Sequence, residues 1–83
     1  MTHPVGVLSI YDSRKQSFFP YKIKWNNRYY VINKVCYHHL VREGRTAIHI
    51  FHVTDGHLDF RLAFNTETLH WTMEDIYDES AAS

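Results

Sequence analysis

Cysteine is nearly missing from this chain of 83 residues, where Cys36 stands alone. An intramolecular disulfide is therefore excluded, as is any zinc motif built on several thiolates, and the usage fits a reducing compartment. Long apolar runs are lacking too. No stretch approaches the length of a membrane-spanning helix, and the opening MTHPVGVLSI has neither a basic leader nor an extended apolar segment behind it. The expectation is a cytoplasmic protein, neither exported nor membrane-bound. The three glycines, Gly6, Gly44 and Gly56, are isolated from one another, so no phosphate-cradling loop or dinucleotide fingerprint exists and no cofactor is expected. An excess of one charge sign is also absent: nine basic residues meet nine acidic ones, with an isoelectric point near 7.1.

That balance conceals an asymmetry. Residues 1 to 45 carry eight Lys and Arg against two acids, and residues 46 to 83 carry one Arg against seven acids. The chain is dipolar only if those halves occupy different faces. No internal repeat interrupts it, and its length allows one hydrophobic core. Residues 1–78 read as a single β domain and 79–83 as a frayed C-terminal tail. With 45 % apolar and 16 % aromatic residues, the core is built largely from rings.

Periodicity of two dominates the sequence. Val5, Val7, Ser9 and Tyr11 alternate through a first strand, and DSRKQS at 12–17 forms a turn. Tyr21, Ile23 and Trp25 alternate with Lys22 and Lys24 up to Asn26-Asn27, a dipeptide that tolerates the positive φ of a two-residue hairpin. Pairing outward sets Trp25 opposite Arg28, Lys24 opposite Tyr29, Ile23 opposite Tyr30, Lys22 opposite Val31 and Tyr21 opposite Ile32. Ile23, Trp25, Tyr30 and Ile32 then share an inner face. The next apolar residue, Val35, comes three positions after Ile32, and that slip predicts a bulge or bend near Asn33 and Lys34.

Asp55-Gly56 between AIHIFHVT and HLDFRLAF marks a second hairpin. Pairing outward from it sets Val53 opposite Leu58, Phe51 opposite Phe60, His49 opposite Leu62 and Ala47 opposite Phe64, pairs expected to be the same for a loop of two or of four residues. After a turn at NTET, 65–68, Leu69, Trp71 and Met73 continue that face opposite Phe64, Leu62 and Phe60. Residues 36–45 (CYHHLVREGR) fit the strand pattern poorly and are compatible with a helical turn. Thr72 to Asp75 has capping-box character, yet Trp71 and Met73 keep period two, which favours strand over 72–78. The fold expected is all-β, a single antiparallel meander of about six strands curled into a barrel or roll.

The pattern resembles a family of small uncharacterised bacterial all-β domains. The resemblance runs from 20 to 78 through Ile23 and Trp25, Arg28, Tyr30, Ile32 and Val35, then Phe51 and Val53, Asp55 and Gly56, Phe60 and Leu62, Trp71, Tyr77 and Asp78. Ile23 stands where the family more often has Phe, and Asn27 where it often has Gly. Genes of such domains sometimes lie near DNA-damage and translesion polymerase cassettes, so the resemblance implies a connection with nucleic-acid transactions and carries over no catalytic residue.

Two constellations are candidate sites. The hairpin 21–35 presents Lys22, Lys24, Arg28, Tyr29 and Lys34, with cations to neutralise phosphates and a ring to stack on a base. The competing reading is a solvated face whose lysines deter edge aggregation. The expected registers also align His52, Asp59 and Glu74 across three strands, one imidazole and two carboxylates suited to a divalent cation. The competing reading is a surface ion pair. Cys36 and His38 form a thinner alternative, more simply read as a buried thiol beside a surface imidazole. His49 is the polar exception on an apolar face, expected to bond a backbone carbonyl or water, and no Ser, Asp or Cys makes a triad with it. The protein is therefore read as a non-enzymatic module that binds a protein partner or self-associates. Nucleic-acid binding is the first alternative, and a metal protein or enzyme the second.

Overall fold

The computed structural model describes residues 3–78, so the tail expected at 79–83 lies outside the described residues. Eight strands form two antiparallel sheets, with no helix among the described residues. They are β1 (His3–Pro4), β2 (Gly6–Asp12), β3 (Ser17–Trp25), β4 (Arg28–Val31), β5 (Lys34–Glu43), β6 (Thr46–Thr54), β7 (Leu58–Asn65) and β8 (His70–Asp78). One sheet has the order β1-β8-β7-β6-β5 and the other β2-β3-β4.

Two expectations are corrected here. There are eight strands in place of about six, because His3–Pro4 adds a short edge and the segment compatible with a helical turn is strand β5. Neither sheet closes into a barrel. The period break after Ile32 has a different consequence from a bend within one sheet: it is where the chain leaves the three-stranded sheet for the five-stranded one. Ile32 N–H still bonds Tyr21 C=O at 2.8 Å, while Asn33 N–H already bonds Thr54 C=O at 2.7 Å.

The first hairpin pairs as its sequence requires, from Trp25 opposite Arg28 to Lys22 opposite Val31. Asn26 and Asn27 have φ of 54° and 60°, the two positive angles of a type I′ turn. In the hairpins at Asp55 and Asn65 side chains move the turn. Asp55 Oδ1 accepts the N–H groups of His57 (2.8 Å) and Leu58 (2.7 Å), and Thr54 Oγ1 accepts that of Gly56. Asp55 thus caps a four-residue loop centred one position later than a two-residue Asp-Gly turn.

Every partner consequently moves by two: Val53 faces Phe60, Phe51 faces Leu62 and His49 faces Phe64. Two residues are one full period of a strand, so the core face survives while the pairs across it change. At the next turn Asn65 Oδ1 accepts from Glu67 and Thr68, and Leu69 is held at φ 62°. Trp71 therefore faces Phe64 and Met73 faces Leu62, and Leu69 sits exposed in the turn instead of on the core face.

Ile23, Phe51, Val53, Phe60, Leu62 and Met73 form the core between the sheets, with Trp25, Tyr30, Ile32, Val35 and Trp71 packed against them. Phe18 of β3 caps one end, edge-on to Phe51, Phe64, Trp71 and His49. The 72–78 segment is strand, as favoured from its period.

Candidate functional site

The residues expected to bind metal are not assembled. The two-residue shift sets His52 opposite Arg61 and Asp59 opposite Thr54. A bulge after Arg61 brings Glu74 to that same guanidinium, with Nε to Oε1 at 3.0 Å. Where a cation was to bind, the sheet carries its own, and no group of three His, Cys, Asp or Glu able to hold a metal exists among the described residues.

The basic hairpin is assembled only in part. Lys22 Nζ and Lys24 Nζ lie 5.1 and 5.7 Å from the centroid of the Tyr29 ring, beside a shallow groove floored by Gly6, Val7 and Leu8. Arg28 turns away to lie over Tyr30 at 5.7 Å, and Lys34 belongs to the other sheet. The ring that was to stack on a base thus already has two ammonium groups over it.

The most distinctive region is one that the sequence left undefined. Strand β5 is an edge of the larger sheet, paired with β6 and with no other strand beside it among the described residues. Its hairpin closes on Glu43 and Thr46 around Gly44-Arg45, with Gly44 at φ 60°. A pair flanking a two-residue loop is hydrogen-bonded, and such pairs alternate along a ladder. Glu43, Val41 and His39 therefore bond β6. The backbone groups of Arg42, Leu40 and His38 point outward. Ala47, the partner of Arg42, corroborates this by turning its C=O away from β5 to accept from Thr66 N–H and Oγ1.

A bulge at Cys36 separates Val35, packed on the core, from Tyr37 on the outer face. Cys36 itself is exposed, contrary to the buried thiol expected. The straight free edge runs from Tyr37 to Glu43 and carries Tyr37 and Leu40, 58 % and 48 % exposed.

Histidines flank this edge on both faces. Outside, His39 and His52 stack at 6.0 Å beside Tyr37, and His39 Nδ1 is shielded with no hydrogen-bond partner. Inside, His38 Nε2 lies 2.8 Å from His49 Nδ1, so His49 bonds another imidazole where a carbonyl or water was expected. Burial of the rings lowers the pKa of both, and the proximity of His49 and then His39 lowers that of His38 further. Sequence spacing does not signal this contact, because His38 pairs with Phe51 and His49 with Leu40, and the two rings meet on the diagonal.

Comparison with family models, curated proteins and solved structures gives no match to this chain.

Proposed function

We propose that the protein is an interaction module that associates with a second copy of itself by pairing β5 with β5 in antiparallel fashion. The observation that carries this reading is the straight free edge Tyr37–Glu43, bounded by a bulge and a turn and bearing exposed Tyr37 and Leu40. The other long edge, β2, is broken by a bulge between Leu8 and Ser9 into shorter runs.

Antiparallel pairing through a two-fold axis keeps like faces together, so a residue meets another of its own face. An axis at Leu40 uses the whole straight edge. It sets Leu40 against Leu40 of the second copy, His38 against Arg42, and Tyr37 against Glu43, with no like-charged pair while His38 is neutral. An axis at His38 instead opposes Lys34 and Arg42. The Leu40 register also matches the outward-facing backbone of His38, Leu40 and Arg42. Two five-stranded sheets would then join into one.

Sedimentation velocity from micromolar to millimolar concentration tests the reading, with a concentration-dependent dimer expected. Leu40→Pro removes an outward N–H that β6 does not use, so it abolishes the dimer with the fold retained. Leu40→Lys serves the same end should the proline variant unfold. A Leu40→Cys variant in a Cys36→Ser background would cross-link across the axis, where facing Cα atoms lie about 5.5 Å apart. A monomer throughout the concentration range overturns the proposal.

A second reading, nucleic-acid binding at Lys22, Lys24 and Tyr29, is favoured by their convergence beside one groove. It predicts a salt-sensitive complex with single-stranded DNA or RNA that Lys24→Glu weakens. No binding at low salt eliminates it.

A further inference from the structure

The contact between His38 and His49 has chemistry beyond strand association. Two imidazole nitrogens from adjacent strands converge to 2.8 Å, Nε2 of one and Nδ1 of the other. Both rings are held by neighbours. His38 lies flat on Phe51, centroids 4.1 Å apart and planes 8° from parallel, and His49 meets the ring of Phe18 edge-on at 5.0 Å. We propose that this pair is a chelating site for a transition-metal ion of tetragonal geometry, Cu(II) first and Ni(II) second.

The donor type, two imidazole nitrogens, carries the choice of metal. With metal–nitrogen bonds of about 2.0–2.1 Å, two ligands at the right angle of a square plane or octahedron stand about 2.8–3.0 Å apart, whereas two tetrahedral ligands stand about 3.3–3.4 Å apart. The observed 2.8 Å is the span of the hydrogen bond in the metal-free pair, close enough to the first arrangement that little change in separation is needed on binding. Cu(II) also heads the general affinity order for nitrogen ligands, and imidazole in a tetragonal field is its characteristic donor.

In the metal-free pair one ring donates N–H to the other. On binding, that hydrogen moves to the second nitrogen of its own ring, two metal–nitrogen bonds form, and two waters leave the metal. No oxidation or net proton release occurs. The ion sits to one side of the line between the nitrogens, so both rings rotate away from their hydrogen-bonded orientation and loosen their contacts with Phe51 and Phe18, and water fills the remaining positions. In the unpaired chain His38 is exposed at the sheet edge, which gives the ion a route in before β5 pairs with a second copy.

The test is a Cu(II) titration of the full chain at pH 7.5, followed by calorimetry and electron paramagnetic resonance. It uses a His3→Ala, His52→Asn background, which removes the histidine nearest the N-terminus and breaks up the outer-face pair. One ion per chain is expected, with hyperfine structure from two imidazole nitrogens and weaker binding of Ni(II) and then Zn(II). Replacing either ligand, by His49→Gln or His38→Gln, converts a chelate to a single donor and weakens binding roughly a hundredfold. Circular dichroism on the metal-free variants checks that they fold, and the resonance spectrum of the unsubstituted pair tests the site independently. Binding that neither substitution changes, a spectrum with one nitrogen donor, or no binding overturns the proposal.

Discussion

The imidazole of His38 lies parallel to the ring of Phe51 at 4.1 Å while its Nε2 reaches His49 Nδ1. The pair is thereby tied to the edge of the hydrophobic core. Both histidines have pKa values below the ordinary 6.5 because burial disfavours their charged forms. In the unfolded chain each regains its ordinary value, so below about pH 6.5 the unfolded state binds more protons than the folded one. Stability is then fully present above pH 6.5 and falls as pH drops through the lowered folded values. Urea midpoints should decline between pH 7.5 and 5, and His49→Gln should flatten that decline.

Phe51 is 1 % exposed and joins the core to the histidine pair. Phe51→Ala should cost about 3–5 kcal/mol, against a total stability on the order of 4–12 kcal/mol for a domain of this size. The variant should therefore be marginally folded at 25 °C, with a broad, early urea transition by tryptophan fluorescence.

The backbone alternation along β5 can be checked in the single chain. His39 N–H bonds β6 and Leu40 N–H faces outward, so His39→Pro should lose about 1–3 kcal/mol. Leu40→Pro should lose markedly less. Thermal melts at a concentration where the chain is monomeric compare the two, and equal losses would refute the assignment of the outward groups.

Leu69 holds φ 62° with its side chain 68 % exposed. A left-handed backbone costs a branched residue more than it costs glycine, and no core packing is lost on removing this side chain. Leu69→Gly should raise stability by roughly 0.5–1 kcal/mol, read as an increase in melting temperature.

The Asn26-Asn27 hairpin was legible to the last pair because both turn residues tolerate positive φ and nothing nearby competes for the turn. At Asp55 and Asn65 the faces were legible and the partners were not, since each side chain caps two N–H groups and shifts its loop by one residue. That shift dismantled the alignment of His52, Asp59 and Glu74. Strand β5 escaped notice because an edge strand buries few side chains: along Lys34–Glu43 only Val35, His39 and Val41 are even half-buried, and a bulge at Cys36 interrupts their alternation. The diagonal meeting of His38 and His49 follows from the β5–β6 register fixed at the Gly44-Arg45 turn, and it went unseen because 36–45 did not read as a strand.

The order of strands within the sheets bears on how the chain reaches its fold. Apart from β1 with β8, every neighbouring pair is also consecutive in sequence. The loops to be closed are short, so chain entropy opposes each hairpin only weakly and the structure can assemble as two local meanders. Among the strand pairings, only that of the two-residue β1, where His3 meets Met73, joins distant segments, and the packing of the two sheets on each other follows the meanders. The domain should thus fold quickly for an all-β protein, and a substitution in β1 should accelerate unfolding while leaving the folding rate almost unaltered.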